Sequence, residues 1–558
     1  MKKVKLSHQN YLAAIFSALM LMFISGCSDP VMEDPVSPDT ANTEAFIPWY
    51  DVLEQTDLNG GIILVQNDES IQEAVDMAEP GSSIYIEPGV YKEGLIISKS
   101  DIQIFGLKNE LGEPVLLENP GGSIISITGE NVRIENIQLK GFDNKLPENS
   151  KLKSSKKRKN CIHLKNWTRE DLGGGIAHYE FEVVMGEGEF DMVRIHRVVR
   201  ENRKYRPVRT KGNVFMVHGA IQDFDDIFLT AGAEVINEKT SAPFYLAANN
   251  IDVWGIDLAW NMVPMETTDF SFMKGWGVEK DINHTLKAMS IARLIRGLTR
   301  QGFCRMNLLG FSYGVYVAYG AASRETQQHW FCRDVNGLIP VDASFKYGPE
   351  DEEFRQSECS QAVDIKAGLD AGMYYSDWGV GLIYMSNLAM TLPDEISPIP
   401  PFSDYSLTNM QALMAAGTDH SAGWHFFGGN FNEFFYSDSI RFVNLGIRLA
   451  PYMPLQTFYE LNACGCNEED VSFDDHLNEI SLPILTIKAG ASESNTSYAA
   501  TLTASADVTH YVATKGVDPP EDFGHADLWM AYDADLMVWA VLEDWLIDHS
   551  KQRRRWGW

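Results

Sequence analysis

The residues best placed for chemistry lie in Met306-Asn307-Leu308-Leu309-Gly310-Phe311-Ser312-Tyr313-Gly314-Val315-Tyr316-Val317. An apolar run with the pattern of a buried strand breaks at Gly-x-Ser-x-Gly into a helix-like segment. A serine on so tight a strand-to-helix turn projects its Oγ above the sheet, and Gly310 and Gly314 let the backbone bend and pack closely. The helix start behind it offers N–H groups and a positive dipole end to a developing oxyanion. Ser312 is therefore the candidate nucleophile. The pentapeptide alone carries little weight in a chain with 44 glycines, so the partners that such a serine needs decide the reading. His525, in Phe523-Gly524-His525-Ala526-Asp527, is the candidate base. The acid that would orient it is Glu493, in Gly490-Ala491-Ser492-Glu493, with Asp342 after the strand-like run Gly337 to Val341 as the alternative.

These residues need a scaffold, and the chain around them supplies its pattern. Asn213-Val214-Phe215-Met216-Val217-His218-Gly219-Ala220 is a short apolar strand ending in His-Gly, and Ile251 to Asp257 is a second. Leu482 to Ile487 is a later strand, and an amphipathic helix closes the chain. Strands alternating with helical patterns predict an α/β fold with a mostly parallel sheet and crossover helices. On these motifs, over roughly residues 176 to 550, the chain resembles the α/β-hydrolase family. Tyr179 to Glu201, with a turn near Gly186-Glu187-Gly188, is similar to the first two strands of the acid-lipase branch, as is Asp252-Val253-Trp254-Gly255.

The resemblance implies roles. Ser312 attacks an ester carbonyl, His525 takes its proton and returns it to the leaving alcohol, and Glu493 or Asp342 holds the imidazole. The backbone N–H groups of Tyr313 and Ala220 form the oxyanion hole. Glu493 departs from the aspartate more usual at that position. His218 is expected to brace the oxyanion loop and not to act as the base. The family also inserts a cap between its late strands, and residues 345 to 478 fit that place. Most of the cap's aromatics (Met373 to Tyr375, Trp378, Trp424, Phe426, Phe427, Phe431, Phe434 and Phe435 mark its apolar segments) are expected in its own core, with a minority making an apolar pocket over Ser312. His420 and His425, in a Gly-rich stretch, read as loop residues. The hydrolase core thus covers 176 to 344 and 479 to 550.

Residues 59 to 168 follow another grammar. Ser70-Ile71-Gln72-Glu73-Ala74-Val75-Asp76-Met77-Ala78 carries apolar residues at helical spacing behind a Ser/Glu capping box and stops at Pro80-Gly81. Short alternating runs follow at Ser83 to Ile86, Leu95 to Ile97, Ile102 to Ile104, Ser123 to Ile127, Val132 to Ile134, Asn136 to Leu139 and Asn160 to Leu164. Their spacing predicts stacked coils, and Pro88-Gly89-Val90-Tyr91-Lys92-Glu93 resembles the opening coils of right-handed parallel β-helix proteins of the pectate-lyase-like superfamily. The basic, Ser-rich loop 143 to 159 interrupts the coils. No acidic cluster or arginine marks a lyase site, so a structural or glycan-contacting module is expected.

Targeting and charge bound the partners. Lys2, Lys3 and Lys5 precede an apolar run from Tyr11 to Ile24 that ends in Ile24-Ser25-Gly26-Cys27. This is similar to a bacterial lipoprotein signal of residues 1 to 26, with Cys27 acylated and residues 27 to 58 forming an acidic, Pro-rich tether. Ser28 favours the outer membrane, so the chain is expected in the bacterial envelope on an N-terminal lipid anchor. The chain has 46 basic and 77 acidic residues and a net charge of -31, which argues against nucleic-acid binding by the bulk surface. Six cysteines remain after Cys27; none shows metal-ligand spacing, Cys464 and Cys466 are too close for a relaxed mutual bridge, and no pairing is assigned. No cofactor and no metal is expected. The reading is an exported serine hydrolase on a carboxylic ester, lipase-like toward hydrophobic acyl groups. The alternatives are a carbohydrate esterase with its polysaccharide held by the β-helix, and a non-catalytic surface glycan-binding protein.

Overall fold

The computed structural model describes residues 61–550 apart from 68, 108–113, 120–123, 141–162, 419–424 and 469. The signal segment, Cys27, the tether, the basic loop, His420, Trp424 and the tail 551–558 lie outside the described residues.

A nine-strand path carries the main sheet: β1 His163–Gly173, β2 Ile176–Val184, β3 Met192–Arg203, β4 Gly212–Val217, β5 Ile251–Asp257, β6 Met306–Phe311, β7 Val335–Val341, β8 Ile484–Ala489 and β9 Val508–Ala513. They lie side by side in the order β1-β2-β3-β5-β4-β6-β7-β8-β9. The first three strands run antiparallel to their neighbours, and β5 through β9 pair in parallel. Parallel strands buried on both faces should read as continuous apolar runs, and every residue of β4, β5 and β6 is buried. The strand order reverses direction at β4: the chain leaves it for β5 on one side and returns to β6 on the other. Loops after β4 and β6 therefore diverge and open a crevice at the carboxyl ends of the strands. Both Ala220 and Ser312 sit on those loops.

Helix α1 (Val278–Leu298) and helix α2 (Gly314–Thr326) pack together beside the sheet. A buried ion network ties α1 to the strands: Arg197 of β3 makes two 2.9 Å bonds to Asp252 of β5, and Arg296 of α1 adds a third at 2.8 Å. Arg197 also lies over the Trp254 ring. That is the structural work of the Asp252-Val253-Trp254-Gly255 segment. Between β7 and β8 come helices α3 (Glu352–Asp370), α4 (Trp378–Thr391), α5 (Asn409–Gly417), α6 (Ser439–Gly446) and α7 (Leu455–Cys466), where the cap was expected. A disulfide between Cys359 and Cys466 fastens α3 to the end of α7, while Cys304, Cys332 and Cys464 are free thiols.

Ahead of the main sheet, short strands form three small parallel sheets. Ile62–Val65, Ser83–Ile86, Gln103–Gly106 and Arg133–Glu135 stack in one, Val90–Tyr91, Val115–Glu118 and Ile137–Lys140 in another, and Leu95–Ile97 with Ile125–Ile127 in the third. The register aligns Ile63, Ile84, Ile104 and Ile134 in one column. Alternation then sends Leu64, Tyr85 and Phe105 to the other face, where they join the hydrolase-side core. The preceding helix, Ile71–Met77, makes half of its expected capping box. Ser70 Oγ accepts from Glu73 N, but Glu93 supplies the other acceptor, taking the N–H groups of Ile71 and Gln72.

Two expectations need correction here. The run Asn160 to Leu164 was expected as a further coil, yet His163 and Leu164 begin β1, which pairs antiparallel with β2. The nine residues of β2 all pair with β1, and this long hairpin claims His163 and Leu164 in place of coil stacking. The main sheet thus begins at His163 and not at residue 176.

Candidate active site

Ser312 sits on the turn between β6 and α2 with φ +54°, a left-handed conformation that costs a non-glycine residue about 1–3 kcal/mol and that surrounding packing must impose. The surroundings do so. A Cβ on Gly310 would lie 2.0 Å from Gly314 O, and one on Gly314 would lie 2.3 Å from Val217 O. Neither position can carry a side chain without moving backbone. Ser312 N donates to Val341 O at 2.9 Å, which fastens the turn to the end of β7.

The loop after β4 meets this turn: Ser312 Cβ is 3.1 Å from where a Cβ on Gly219 would stand. Three contacts fix the loop. Asn261 Nδ2 donates to Gln222 O at 2.7 Å, Ala450 N from the cap side donates to Ile221 O at 2.7 Å, and His218 Nδ1 donates to Gly219 O at 2.8 Å. Ile221 is held at φ +55°, a rare state for a β-branched residue. The His218 ring is fully buried, burial lowers its pKa, and its Nε2 accepts from Leu258 N at 3.4 Å. It is a neutral brace, as expected. Among the described residues neither Tyr313 N nor Ala220 N donates to a protein acceptor, which leaves both N–H groups for an oxyanion. The Tyr313 side chain is anchored behind the turn: its hydroxyl donates to Asp281 of α1 at 2.6 Å, and Trp260 Nε1 donates to the same oxygen at 3.2 Å. Burial pushes the Asp281 carboxyl up to about 7.

His525 is buried, with its ring stacked on Phe311 at 4.4 Å and met edge-on by Phe426 at 5.5 Å. Its Nδ1 lies 2.7 Å from Asp342 Oδ2. The carboxylate paired with His525 is therefore Asp342 and not Glu493. Asp342 is fully buried at the end of β7, and its other oxygen accepts from Ala489 N and Ser494 Oγ, each at 3.0 Å. Glu493 is exposed. The turn after β8 alternates its side chains, so Ser494 points at the carboxylate while Glu493 faces solvent. That turn contributes a hydroxyl that holds the acid instead of the acid itself. With Nδ1–H committed to Asp342, Nε2 is the nitrogen left to act as base. Phe311, the neighbour of Ser312, stacks on the same imidazole.

Pattern alone missed the parts of the site that come from the cap and from Asp527. Residues 425–428 run along the histidine loop, with His525 N donating to His425 O at 2.5 Å and Ala526 N to Phe426 O at 2.7 Å. Asp527, fully buried, accepts from Gly524 N and Gly428 N at 2.8 Å each and from Ser437 Oγ at 2.5 Å. Burial raises its pKa to about 6. The cap is thus stitched to the residue beside His525. Of the cap residues expected in its own core, Phe427 and Phe434 are buried and pack on each other and on Phe442, whereas Met373, Phe431 and Phe435 are exposed and Tyr375 stacks on Phe270 outside the cap.

No family model and no curated protein matches the chain. Solved structures do. A candidate lipase from Sulfolobus solfataricus is 18% identical, with 69% of this chain and 99% of that one covered at a TM-score of 0.50. The chain has the α/β-hydrolase fold. A soluble variant of monoglyceride lipase from Saccharomyces cerevisiae, 12% identical, covers 66% of this chain and 95% of its own at a TM-score of 0.37, and the acetyl esterase MekB, 13% identical, covers 64% and 90% at 0.34. In the order of this fold, β2 is the first strand, Ser312 follows the fifth and Asp342 the sixth.

Proposed function

We propose that the chain is a serine hydrolase that cleaves carboxylic esters, with hydrophobic acyl groups preferred. The observation that carries this reading is the buried Asp342–His525 pair at 2.7 Å beside the strained Ser312 turn. Ser312 Oγ attacks the carbonyl carbon while His525 Nε2 takes its proton. The carbonyl electrons move to oxygen, where the N–H groups of Tyr313 and Ala220 receive the charge, each worth about 3–4 kcal/mol of barrier. Asp342 stabilises the imidazolium. Collapse expels the alcohol with the proton from His525, and water repeats the sequence to release the acid. Phe426, partly buried and edge-on to the imidazole, gives the site an apolar side, which supports an acyl rather than a polar substrate.

The proposal includes export and acylation at Cys27, with the chain held at the outer membrane. The Cys359–Cys466 disulfide supports an oxidising compartment. The stacked strands ahead of the hydrolase are read as a short parallel β-helix. Phe331, just before β7, lies in its core, so the module docks at the amino ends of the strands. β7 is seven residues long, about 20 Å from that end to the end bearing the site. A few sugars of a polysaccharide held on the module would span that distance, so the carbohydrate-esterase reading stays as the alternative. Rates on nitrophenyl esters of increasing chain length, against acetate release from decorated polysaccharide, test the choice. Faster turnover of longer acyl chains is expected; acetate release alone would overturn the lipase-like reading. Loss of lipid incorporation in Cys27→Ser tests the anchor.

A further inference from the structure

Away from Ser312, the first two hydrolase strands and the segment beyond the oxyanion loop bring together nitrogen and oxygen atoms that the ester chemistry does not use. In the β2–β3 register Glu180 stands opposite His196, and His178 is its diagonal neighbour on the same face. Asp225, five residues past Ala220, reaches the same point. His178 Nε2 lies 3.0 Å from His196 Nδ1, His178 Nε2 lies 3.7 Å from Asp225 Oδ1, and His196 Nδ1 lies 3.6 Å from Asp225 Oδ1. A triangle with edges of 3.0, 3.6 and 3.7 Å has a circumradius of about 2.0 Å, so a point exists about 2.0 Å from all three atoms. That matches zinc bond lengths of about 2.0–2.1 Å to imidazole and about 2.0–2.2 Å to carboxylate. A Glu180 carboxylate oxygen lies within 4.8 Å of the same atoms, in reach as a fourth ligand.

Two further observations point to a cation. Asp225 Oδ1 is buried and has no hydrogen-bond partner, an arrangement that costs about 1–3 kcal/mol unless something pairs with it. The far nitrogen of His196, Nε2, lies 3.0 Å from the buried Asp257 Oδ2. A carboxylate against the second nitrogen is the usual companion of a metal-bound histidine, fixing its tautomer and raising its basicity. Asp257 is itself set by Phe224 N at 2.8 Å, and the Phe224 ring stacks on His196 at 4.6 Å.

We propose that His178, His196 and Asp225, with Glu180 completing the set, bind one divalent transition-metal ion of the zinc class. Two imidazole nitrogens select against magnesium and calcium, and two carboxylates balance the charge of the ion. The ion does no ester chemistry. It clamps β2 and β3 to the segment that continues the oxyanion loop, and so steadies the N–H of Ala220.

The test uses the full mature chain without a histidine tag. Metal content is measured as purified; the protein is then stripped with chelator, checked for folding by circular dichroism, and titrated with Zn2+ and Co2+. One equivalent per chain is expected, with a tetrahedral ligand-field spectrum for Co2+ and a raised melting temperature. Asp225→Asn, at a partly exposed position, and His178→Gln should each weaken Zn2+ binding by at least about tenfold and abolish the thermal shift. Ser312→Ala should bind as wild type does. Folded, stripped wild type that takes up no ion overturns the proposal, and so does binding that survives in both variants.

Discussion

Replacing Asp342 by asparagine is expected to disable the site through one proton. Asp342 Oδ1 accepts from Ala489 N, a backbone group that can only donate. In Asp342→Asn the amide oxygen must take that position, which turns the NH2 toward His525 Nδ1. The imidazole then accepts at Nδ1 and carries its proton on Nε2, the tautomer that cannot remove a proton from Ser312. In serine hydrolases that substitution at the orienting acid lowers turnover by about 10^4, or about 5 kcal/mol of barrier at about 1.4 kcal/mol per tenfold. The fold should survive, because the amide keeps the volume and the Ala489 bond. Glu493→Gln, at an exposed position, should stay within about threefold of wild type, less than about 0.7 kcal/mol. The assay is kcat/KM on a short nitrophenyl ester for both variants, with melting temperatures alongside. A folded Asp342→Asn that keeps more than a tenth of wild-type activity, or a larger loss in Glu493→Gln, would refute the assignment.

Other expectations concern stability. The Asp281 carboxyl, raised to about 7 by burial, keeps in the folded state a proton that the unfolded chain releases near pH 4. Its contribution to stability therefore falls as pH rises from about 4 to about 7, by about 3 kcal/mol between about pH 5 and about pH 8. Asp281→Asn keeps an acceptor for Tyr313 and Trp260, so its melting temperature should drop less over that range than that of wild type; parallel curves would contradict this. The disulfide closes a loop with a sequence separation of 107, for which chain entropy allows about 4–5 kcal/mol. Cys359→Ser with Cys466→Ser should lower the melting temperature, reductant should reproduce the drop in wild type, and an unchanged melting point under reductant would count against the bridge. Gly314→Ala drives a Cβ to 2.3 Å from Val217 O, and a loss of about 1–3 kcal/mol or more is expected in denaturant unfolding.

What could be read from pattern was local. The Ser312 turn needs small residues two positions either side, and that constraint is written in five consecutive letters. The apolar runs of β4 to β6 announce strands buried on both faces. The acid was not legible in the same way, because two carboxylates end two turns. The choice depends on β7–β8 pairing, which bonds Asp342 N to Ile487 O and sets the carboxylate on Ala489 N. Nothing near Glu493 records that Ser494, one residue on, is the side chain that points inward. The strand beginning at His163 is ambiguous in sequence for a related reason: its alternation suits a coil as well as a hairpin, and only its pairing with β2 separates them. The stitching of the cap to Gly524 and Ala526, the Cys359–Cys466 pair, and the meeting of His178, His196 and Asp225 all join residues distant in sequence without a spacing rule.

The central claim is that Ser312 is an activated nucleophile, and fluorophosphonate labelling of the purified 28–558 chain with peptide mapping tests it without knowledge of the substrate. The account predicts one label, on Ser312, absent from Ser312→Ala and lost or strongly slowed in His525→Ala. Folded wild-type protein that takes no label, or takes it on another serine, would contradict it.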